Sequence, residues 1–353
     1  MSSLGTLIEK PALWLSGEAE ESELVLSSRV RLARNLDRRS FTHGASAGVL
    51  GEIRGEVRSA LGQCPSLAGA LVFDMDDMPE SDRVLLSERR LISREMVRNN
   101  MHRSLVVRPD EELGVMINEE DHLRVQALEP GFSLQRAFER INALDDEIDE
   151  RVCYAYSEEL GYLTACPTNV GTGLRASAMV HLPGLVHNKD IGQVLDGLRS
   201  VRLSVRGIYG EGSEVVGNLF QVSNSITLGL SEEDTVKNVE SHVRKVLEIE
   251  KKARATLLRK ARSLLEDKIW RAYGILKTAR LVTSKEAMGL LSAVRLGVGL
   301  GILTDCNLAV LNELFVMIQP MHLRRLHEGA LKAEERDRAR ADYIRAKLGG
   351  YRT

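Results

Sequence analysis

Four short stretches hold residues whose types and spacing can do chemistry. The first is "NEEDHLR", residues 118–124. On a strand, side chains alternate between faces. Asn118, Glu120, His122 and Arg124 then share one face, and Glu119, Asp121 and Leu123 the other. Glu120 and Arg124 lie four strand steps apart, roughly 13 Å, enough to span a triphosphate and its acceptor. The competing assignments are a solvated edge strand with balanced charges, and a metal site, which consecutive strand residues pointing apart disfavour. The second stretch, "SSRVR", sets Arg29 and Arg31 on one strand face, about 6.6 Å apart along the backbone. Two parallel guanidinium forks suit successive phosphates, whereas an exposed basic pair is the plain alternative.

The third stretch, "CPTNVGTGLRAS", starts at Cys166 and reaches Arg175 through a Gly-containing loop. "GTGLRA" matches the letters of a dinucleotide fingerprint, with Asp190 near the distance expected for a ribose-binding acid. That fingerprint puts its first Gly directly after a strand, and here "PTNV" intervenes, so the match is a decoy. The loop offers backbone N–H groups, and Arg175 is expected near a helix start; both favour an anion. The fourth stretch, "RGIYGEGSE", carries Arg206 and then Glu211 in a Gly-flanked loop. It reads either as a hairpin with a surface Glu or as a mobile loop closing a carboxylate over a substrate. The chain has no GxxxxGK[ST], GxSxG or HExxH motif, which removes the P-loop, nucleophile-elbow and zincin classes.

Together these are five arginines (29, 31, 124, 175 and 206), two glutamates (120 and 211) and one cysteine. Five forks exceed the needs of one carboxylate and suit a nucleoside triphosphate held without a P-loop, with Mg²⁺ on its phosphates. Two carboxylates and a thiol suit a cationic acceptor, and a guanidinium fits because paired carboxylates bind it bidentately. A protonated guanidinium is a poor nucleophile, so a positioned carboxylate must take its proton as the phosphoryl group arrives.

The elements that must position these residues follow from periodicity. "SELVLSSRVRLARNL" alternates as a strand; "GALVFDMDDM" and "SLVVRP" read as strands, and "ERRLISREMV" as a turn or short helix. "LGVMINEEDHLRVQAL" reads as one long strand and "FSLQRAFERINALDDEIDERV" as an amphipathic helix. "VRLSVRGIYGEGSEVVGNLFQVSNSITLG" is strand, Gly-rich loop, strand. Ser231 opens a helix with Asp234 three residues on, a capping-box analogue. Val236, Val239, Val243 and Val246 form its stripe, the helical pattern runs on towards Tyr273, and mainly helical segments follow to the charged "AEERDRARADYIRAKL". The expected class is α+β with two parts: residues 1–254 with a β-rich core from 24, and a helical domain over 255–353.

Composition sets outer limits. The 353 residues are 43% hydrophobic and 28% charged, with a formal net charge of −2, which argues against a dominant nucleic-acid footprint. Apolar runs are short and broken by charge, and the N-terminus lacks a basic start with an apolar core, so neither a membrane span nor a signal peptide is expected. Cys64, Cys153, Cys166 and Cys306 form no CxxC pair, which points away from structural zinc and disulfides and towards a reducing cytoplasm.

In the same order, the four stretches resemble the signature blocks of the guanidino (phosphagen) kinases, over residues 27 to about 215. Within that superfamily the chain is most similar to the bacterial protein arginine kinases. Small-guanidine kinases carry a folded helical domain ahead of the "SSR" strand, for which the residues before Glu23 leave no room, and they lack a helical continuation like 255–353. The resemblance implies an antiparallel sheet flanked by helices. It implies ATP contacts at Ser27, Ser28, Arg29, Val30 and Arg31, at Arg124, at Arg175, Ala176, Ser177, Ala178 and Met179, and at Arg206, Gly207, Ile208, Tyr209, Gly210 and Glu211.

Glu120 is implied as catalytic base, Glu211 as the second guanidinium-holding carboxylate and Cys166 as a thiolate beside the guanidinium, a form that positive neighbours favour. Where many relatives have a nucleotide-contacting His before "LIS", this chain has Arg90. "RDRARA" resembles the family's phosphoarginine-binding motif, which implies an allosteric site at Arg336, Asp337, Arg340 and Ala341. Arg336 and Arg340 sit one turn apart, with Asp337 available to a guanidinium. The implied activity is ATP-dependent phosphorylation of protein arginines in stress response and quality control. The implied partners are a heat-shock repressor, misfolded proteins, an activator protein, a Clp protease and a second copy of the chain. The alternatives are a free-arginine phosphagen kinase and a catalytically dead phosphoarginine-binding adaptor; the intact acidic and basic residues count against the latter.

Overall fold

The computed structural model describes residues 3–8, 11–99, 101–207, 216–327, 329 and 331–349. In chain order its strands are β1 (Val25–Arg34), β2 (Leu71–Asp74), β3 (Ser104–Val107), β4 (Leu113–Ile117), β5 (Leu123–Pro130), β6 (Tyr156–Ser157), β7 (Gly161–Tyr162), β8 (Leu174–His181), β9 (Leu203–Gly207) and β10 (Leu219–Asn224). The helices are α1 (Ser3–Ile8), α2 (Ala47–Leu61), α3 (Glu80–Glu88), α4 (Arg94–Arg98), α5 (Leu134–Asp149), α6 (Pro183–Asn188) and α7 (Ile191–Ser200). They continue with α8 (Glu232–Lys260), α9 (Arg262–Thr278), α10 (Ser284–Gly299), α11 (Leu308–Met317), α12 (Pro320–Leu326) and α13 (Ala333–Lys347).

Eight strands form one sheet in the order β2-β3-β4-β5-β1-β8-β10-β9, every ladder antiparallel, so the expected α+β architecture is present. Its two faces are built differently because side chains alternate. The back face presents Val30, Leu32, Val115, Val125, Ala176, Ala178 and Val222 to α2, α5 and α8, including the valine stripe of α8. Ser231 caps α8 by accepting from the Asp234 N–H at 3.0 Å. The front face is apolar only at its two ends. At one end Leu105, Val107 and Met116 meet α1, α3 and α4. At the other, Leu26, Leu128, Met179 and Leu219 meet Trp14 and helices α9, α10, α11 and α13. The polar residues of the front face lie between these two caps.

Three expectations are corrected. "LGVMINEEDHLRVQAL" is a hairpin, β4 and β5 joined by residues 118–122. Asn118 takes a left-handed φ of 56°, a conformation Asn tolerates, and the loop closes through its N–H donating to the His122 carbonyl at 2.9 Å. Arg175 lies in β8, and no helix starts there; α6 begins eight residues later at Pro183. The helix from Glu232 does not run to Tyr273: it ends at Lys260, and Ala261 (φ −142°, ψ 36°) turns the chain into α9. The domain limit set at 254/255 thus falls inside α8.

Candidate active site

Strand register puts all five arginines on the front face. Arg31 stands opposite Gln126 on β5 and Arg175 on β8. Arg124 is two residues from Gln126, Arg29 two from Arg31, and Arg206 on β9 faces Gln221 on β10. Among the described residues, one carboxylate is paired with them. Arg124 Nη1 donates to Glu119 Oε2 at 2.6 Å. Among the described residues Arg29 reaches the neutral Gln221 Oε1, at 3.3 Å, and Arg175 donates to the Ser204 and Ser223 hydroxyls at 3.0 and 3.2 Å. The buried Arg31 Nε has no hydrogen-bond partner. Burial, then the charges of Arg90, Arg124 and Arg175, pushes Arg29 down to about 9. Burial followed by Arg29, Arg124 and Arg175 holds Arg31 well below its ordinary value. Guanidinium keeps its proton in proteins, so such a bed is poised for an anion. Arg29, Arg31, Arg124 and Arg206 line a cavity of about 820 Å³ that also takes in Arg90, Arg94 and Arg98, a volume within the usual range for ligand sites.

A second cavity of about 420 Å³ adjoins it, lined by Glu120, Asp121, Cys166, Asn169 and Asn224, and shares Arg31, Arg124 and Arg206 with the first. Its carboxylates come from the β4–β5 loop. Asp121 Oδ1 accepts from Asn35 Nδ2 and from the Ala165 N–H, both at 2.7 Å, which ties the Glu120 loop to the Cys166 loop. His122 is structural: Nδ1 accepts from the Leu36 N–H at 3.0 Å and Nε2 faces the Ser40 carbonyl at 3.0 Å. Among the described residues no group of three or more His, Cys, Asp or Glu can hold a metal.

The neighbours Glu119 and Glu120 are pushed in opposite directions. Burial opposes charge on Glu119, but Arg124 and a Ser93 hydrogen bond overcome it and hold the carboxyl at about 2. Glu120, exposed at the loop tip, is raised by desolvation against the cavity wall and by the Asp121 and Glu119 carboxylates. Such a split marks one carboxylate as a fixed charge and the other as a proton acceptor. A Cys166 hydrogen bond to Glu120 opposes the rise, and Cys166 Sγ lies 3.0 Å from Thr168 Oγ1. Glycines make the loop possible. At Gly171 (φ 112°) a Cβ would sit 2.2 Å from the Thr227 carbonyl oxygen, and at Gly173 (φ 63°) 2.5 Å from that of Ala33.

Several predicted contacts change. Val30, Ala176 and Ala178 point into the core behind the sheet, so their side chains offer the cavity nothing. Ser28 Oγ is spent on the Gly131 carbonyl and the Ser133 N–H, both at 2.9 Å. Ser27, Ser177 and Met179 lie on the front face by register, Met179 within the apolar end cluster. Gly207 ends β9, while Ile208, Tyr209, Gly210 and Glu211 lie outside the described residues. Arg90, at a left-handed corner (φ 66°) after α3, lines the larger cavity.

On α13, Asp337 Oδ1 accepts from Arg340 Nη1 at 2.5 Å. The buried Arg340 also donates to the carbonyls of Ile318 and Val282, at 3.1 and 2.9 Å. Arg336 donates to the Leu331 carbonyl at 3.2 Å, and Ala341 is core. The sequence reading passed over Gln126, Gln221, Ser204 and Ser223. Their signal is the period-two polar alternation "RVQ" and "QVS" inside apolar strands. Trp14, Phe315, Val316 and Gln319 also line the large cavity, with no local signal to announce it.

Residues 52–253 match the family described as ATP:guanido phosphotransferase, C-terminal catalytic domain, and residues 262–353 match the protein-arginine kinase McsB C-terminal domain. The chain is 44% identical over 335 residues to the protein-arginine kinase of Clostridium tetani (strain Massachusetts / E88), covering 95% of this chain and 98% of that protein. It is 42% identical over 339 residues to that of Bacillus subtilis (strain 168), covering 95% and 93%. The crystal structure of a lombricine kinase superposes with a TM-score of 0.60 at 24% identity, over 72% of this chain and 76% of that one, a likeness of fold.

Proposed function

The chain belongs to the ATP:guanido phosphotransferase family, with the McsB-type C-terminal domain of its protein-arginine kinases, and from that premise we propose how its two cavities divide the reaction. It is a kinase that phosphorylates arginine side chains of proteins. The larger cavity takes ATP and the smaller takes the acceptor guanidinium. The observation behind this division is that Arg31, Arg124 and Arg206 belong to both, so the transferred phosphoryl group sits where they meet.

Glu120 takes a proton from the guanidinium, whose freed nitrogen attacks the γ-phosphorus. A P–N bond forms as the P–O bond to ADP breaks. The three shared arginines neutralise charge on the equatorial oxygens, and alignment supplies much of the rest. Arg29 and Arg90 hold the remaining phosphates from the larger cavity, Arg175 stands across the ladder from Arg31 on the wall of the smaller one, and Cys166 borders the acceptor. Magnesium bound with the triphosphate would supply further neutralisation of phosphate charge. Glu211 is retained as the second acceptor carboxylate. A homodimer, an activator protein, the Clp protease and repressor partners, a phosphoarginine site on α13 and a cytoplasmic location also belong to this proposal. No helix among the described residues is long and apolar enough to cross a membrane.

The test is incubation with Mg·ATP and either free arginine or a loosely folded protein, followed by mass spectrometry for acid-labile phosphoarginine. Product on the protein substrate is expected; product on free arginine alone, or on neither, refutes the assignment.

A further inference from the structure

We propose that the groove between α7 and α8, behind the sheet and away from both cavities, is a docking surface for an acidic amphipathic helix of a partner protein. The assignment is independent of how the two cavities divide the reaction.

The two helices show the same spacing. Val194, Gly197, Leu198 and Val201 stand at i, i+3, i+4 and i+7 along α7 and its C-cap, and His242, Lys245, Val246 and Ile249 do so along α8. Residues at these intervals share one helix face. Both faces line one groove of about 440 Å³. Leu198 and Val246 are buried and form its floor, as part of the core behind the sheet. Val201 and Ile249 are 38% and 43% exposed and form its lips. Ile191 and Leu195 already anchor α7 to that core, so Val201 carries the apolar stripe beyond what the fold uses. Gly197 leaves the α7 wall open, since a Cβ there would meet nothing within 4 Å. Glycine weakens a helix interior and lets another backbone come close.

Shape and charge select the occupant. The α7 wall from Asp190 to Val201 is about 17 Å long, three helical turns. Two helix faces along one groove accept the apolar ridge of a third helix. The α8 lip is basic. Lys245, Lys252 and Arg259 follow one another at seven-residue intervals and are exposed. Among the described residues they have no ion-pair partner, and the nearby Glu248 is taken by Lys251 at 3.0 Å. Across the groove, Asp196 is taken by Arg199 at 2.8 Å, which leaves Gln193 and Ser200 as the neutral edge of α7. Asp190 is the carboxylate of the groove, at the start of α7. A helix with apolar side chains at the same intervals and glutamates along one flank complements both features. The chain as a whole has a net charge of −2, so the basic row is local, which favours a helix over a nucleic acid.

The probe is a fluorescein-labelled peptide of about eighteen residues, long enough to be helical in water. It carries leucines at i, i+3, i+4 and i+7 and glutamates along one flank. Anisotropy on the full chain should show saturable binding that added salt weakens. Ile249→Asp should weaken it about tenfold or more. Lys245→Glu combined with Lys252→Glu should do the same, and should bind the peptide remade with lysines for glutamates. Both variants should keep the wild-type Tm, as surface changes do. Equal binding by wild type and Ile249→Asp, equal binding of a scrambled peptide, or no binding by wild type overturns the docking surface. A monomeric Ile249→Asp beside an oligomeric wild type overturns it in favour of a second copy of the chain. Tighter binding of duplex DNA or phosphatidylglycerol vesicles than of the peptide, lost in the lysine variant, overturns it in favour of nucleic acid or lipid.

Discussion

Replacing Arg29 by methionine should stabilise the unliganded protein while abolishing its affinity for nucleotide. Arg29 is partly buried, has Gln221 Oε1 as its hydrogen-bond partner at 3.3 Å, and faces three other guanidinium groups. Its displacement from 12.5 to about 9 corresponds to an unfavourable environment of about 5 kcal/mol for the charged form. A guanidinium does not shed its proton at neutral pH, so the penalty falls on the fold. Methionine fills similar space without charge. It leaves the Gln221 oxygen without its donor, a loss of about 1–3 kcal/mol. The net gain expected from replacing such a charge is about 1–3 kcal/mol, a rise in Tm of about 2–5 °C. Calorimetric scans of both proteins, with and without tripolyphosphate, supply the measurement. At a hundred times its Kd the anion adds about 2.7 kcal/mol to the wild type and nothing to the variant, so the order of Tm values reverses or closes. A lower Tm for Arg29→Met without anion refutes the idea that the bed is stored repulsion.

Three further outcomes are expected. Glu120→Gln should reduce kcat by about 10²–10⁴ with ADP binding retained. In the wild type kcat/KM should fall with acid through a pKa above that of an ordinary glutamate, because the folded Glu120 carboxyl is raised; full activity in the variant removes Glu120 as base. Glu119, held at about 2 against an ordinary 4.5, contributes roughly 3 kcal/mol that is present above pH 4.5 and lost as the pH falls towards 2. Urea midpoints of Glu119→Gln should therefore lack that acid-dependent component, and a variant with the wild-type slope contradicts the pairing with Arg124. Gly171→Ala places a Cβ against the Thr227 carbonyl at a φ of 112°. The strain, about 1–3 kcal/mol, should raise KM for the protein acceptor more than for ATP; equal changes in both KM values argue against a local effect on the Cys166 loop.

The strands and their chemistry were legible because period-two alternation survives inside long apolar segments, as in β1. Arg29 and Arg31 could be placed on one face from spacing alone. Loops were less legible. "INEEDHL" has no Gly or Pro to mark a turn, and its turn residue is Asn118, left-handed in backbone, whose side-chain Nδ2 donates hydrogen bonds to the carbonyls of Leu50 and His102, outside the motif. Arg175 was placed by analogy with Gly-rich loops that lead into helices; here the two glycines lead into a strand pressed against Ala33. The apolar wall from α11 has no signal in the sequence, since Phe315 and Val316 read as ordinary core of a helix. The carbonyl partners of Arg340, Ile318 and Val282, come from distant elements and could not be read from the sequence.

The hairpin at residues 118–122 does what the expected strand cannot. A straight strand would hold Glu120 and Arg124 roughly 13 Å apart on one face. Transfer without a covalent intermediate instead needs the proton acceptor and the phosphoryl-holding cation on the wall of one chamber. Turning the chain at Asn118 brings this about: Glu120 and Arg124 both line the acceptor cavity, while Glu119 returns to Arg124 at 2.6 Å. Glu119 leaves Arg124 charged and fixed, and its own negative charge helps keep the neighbouring Glu120 carboxyl basic. Adjacent carboxylates with opposite displacements thus follow from one left-handed residue. Loss of that turn should uncouple the base from the phosphates even with every charged side chain in place.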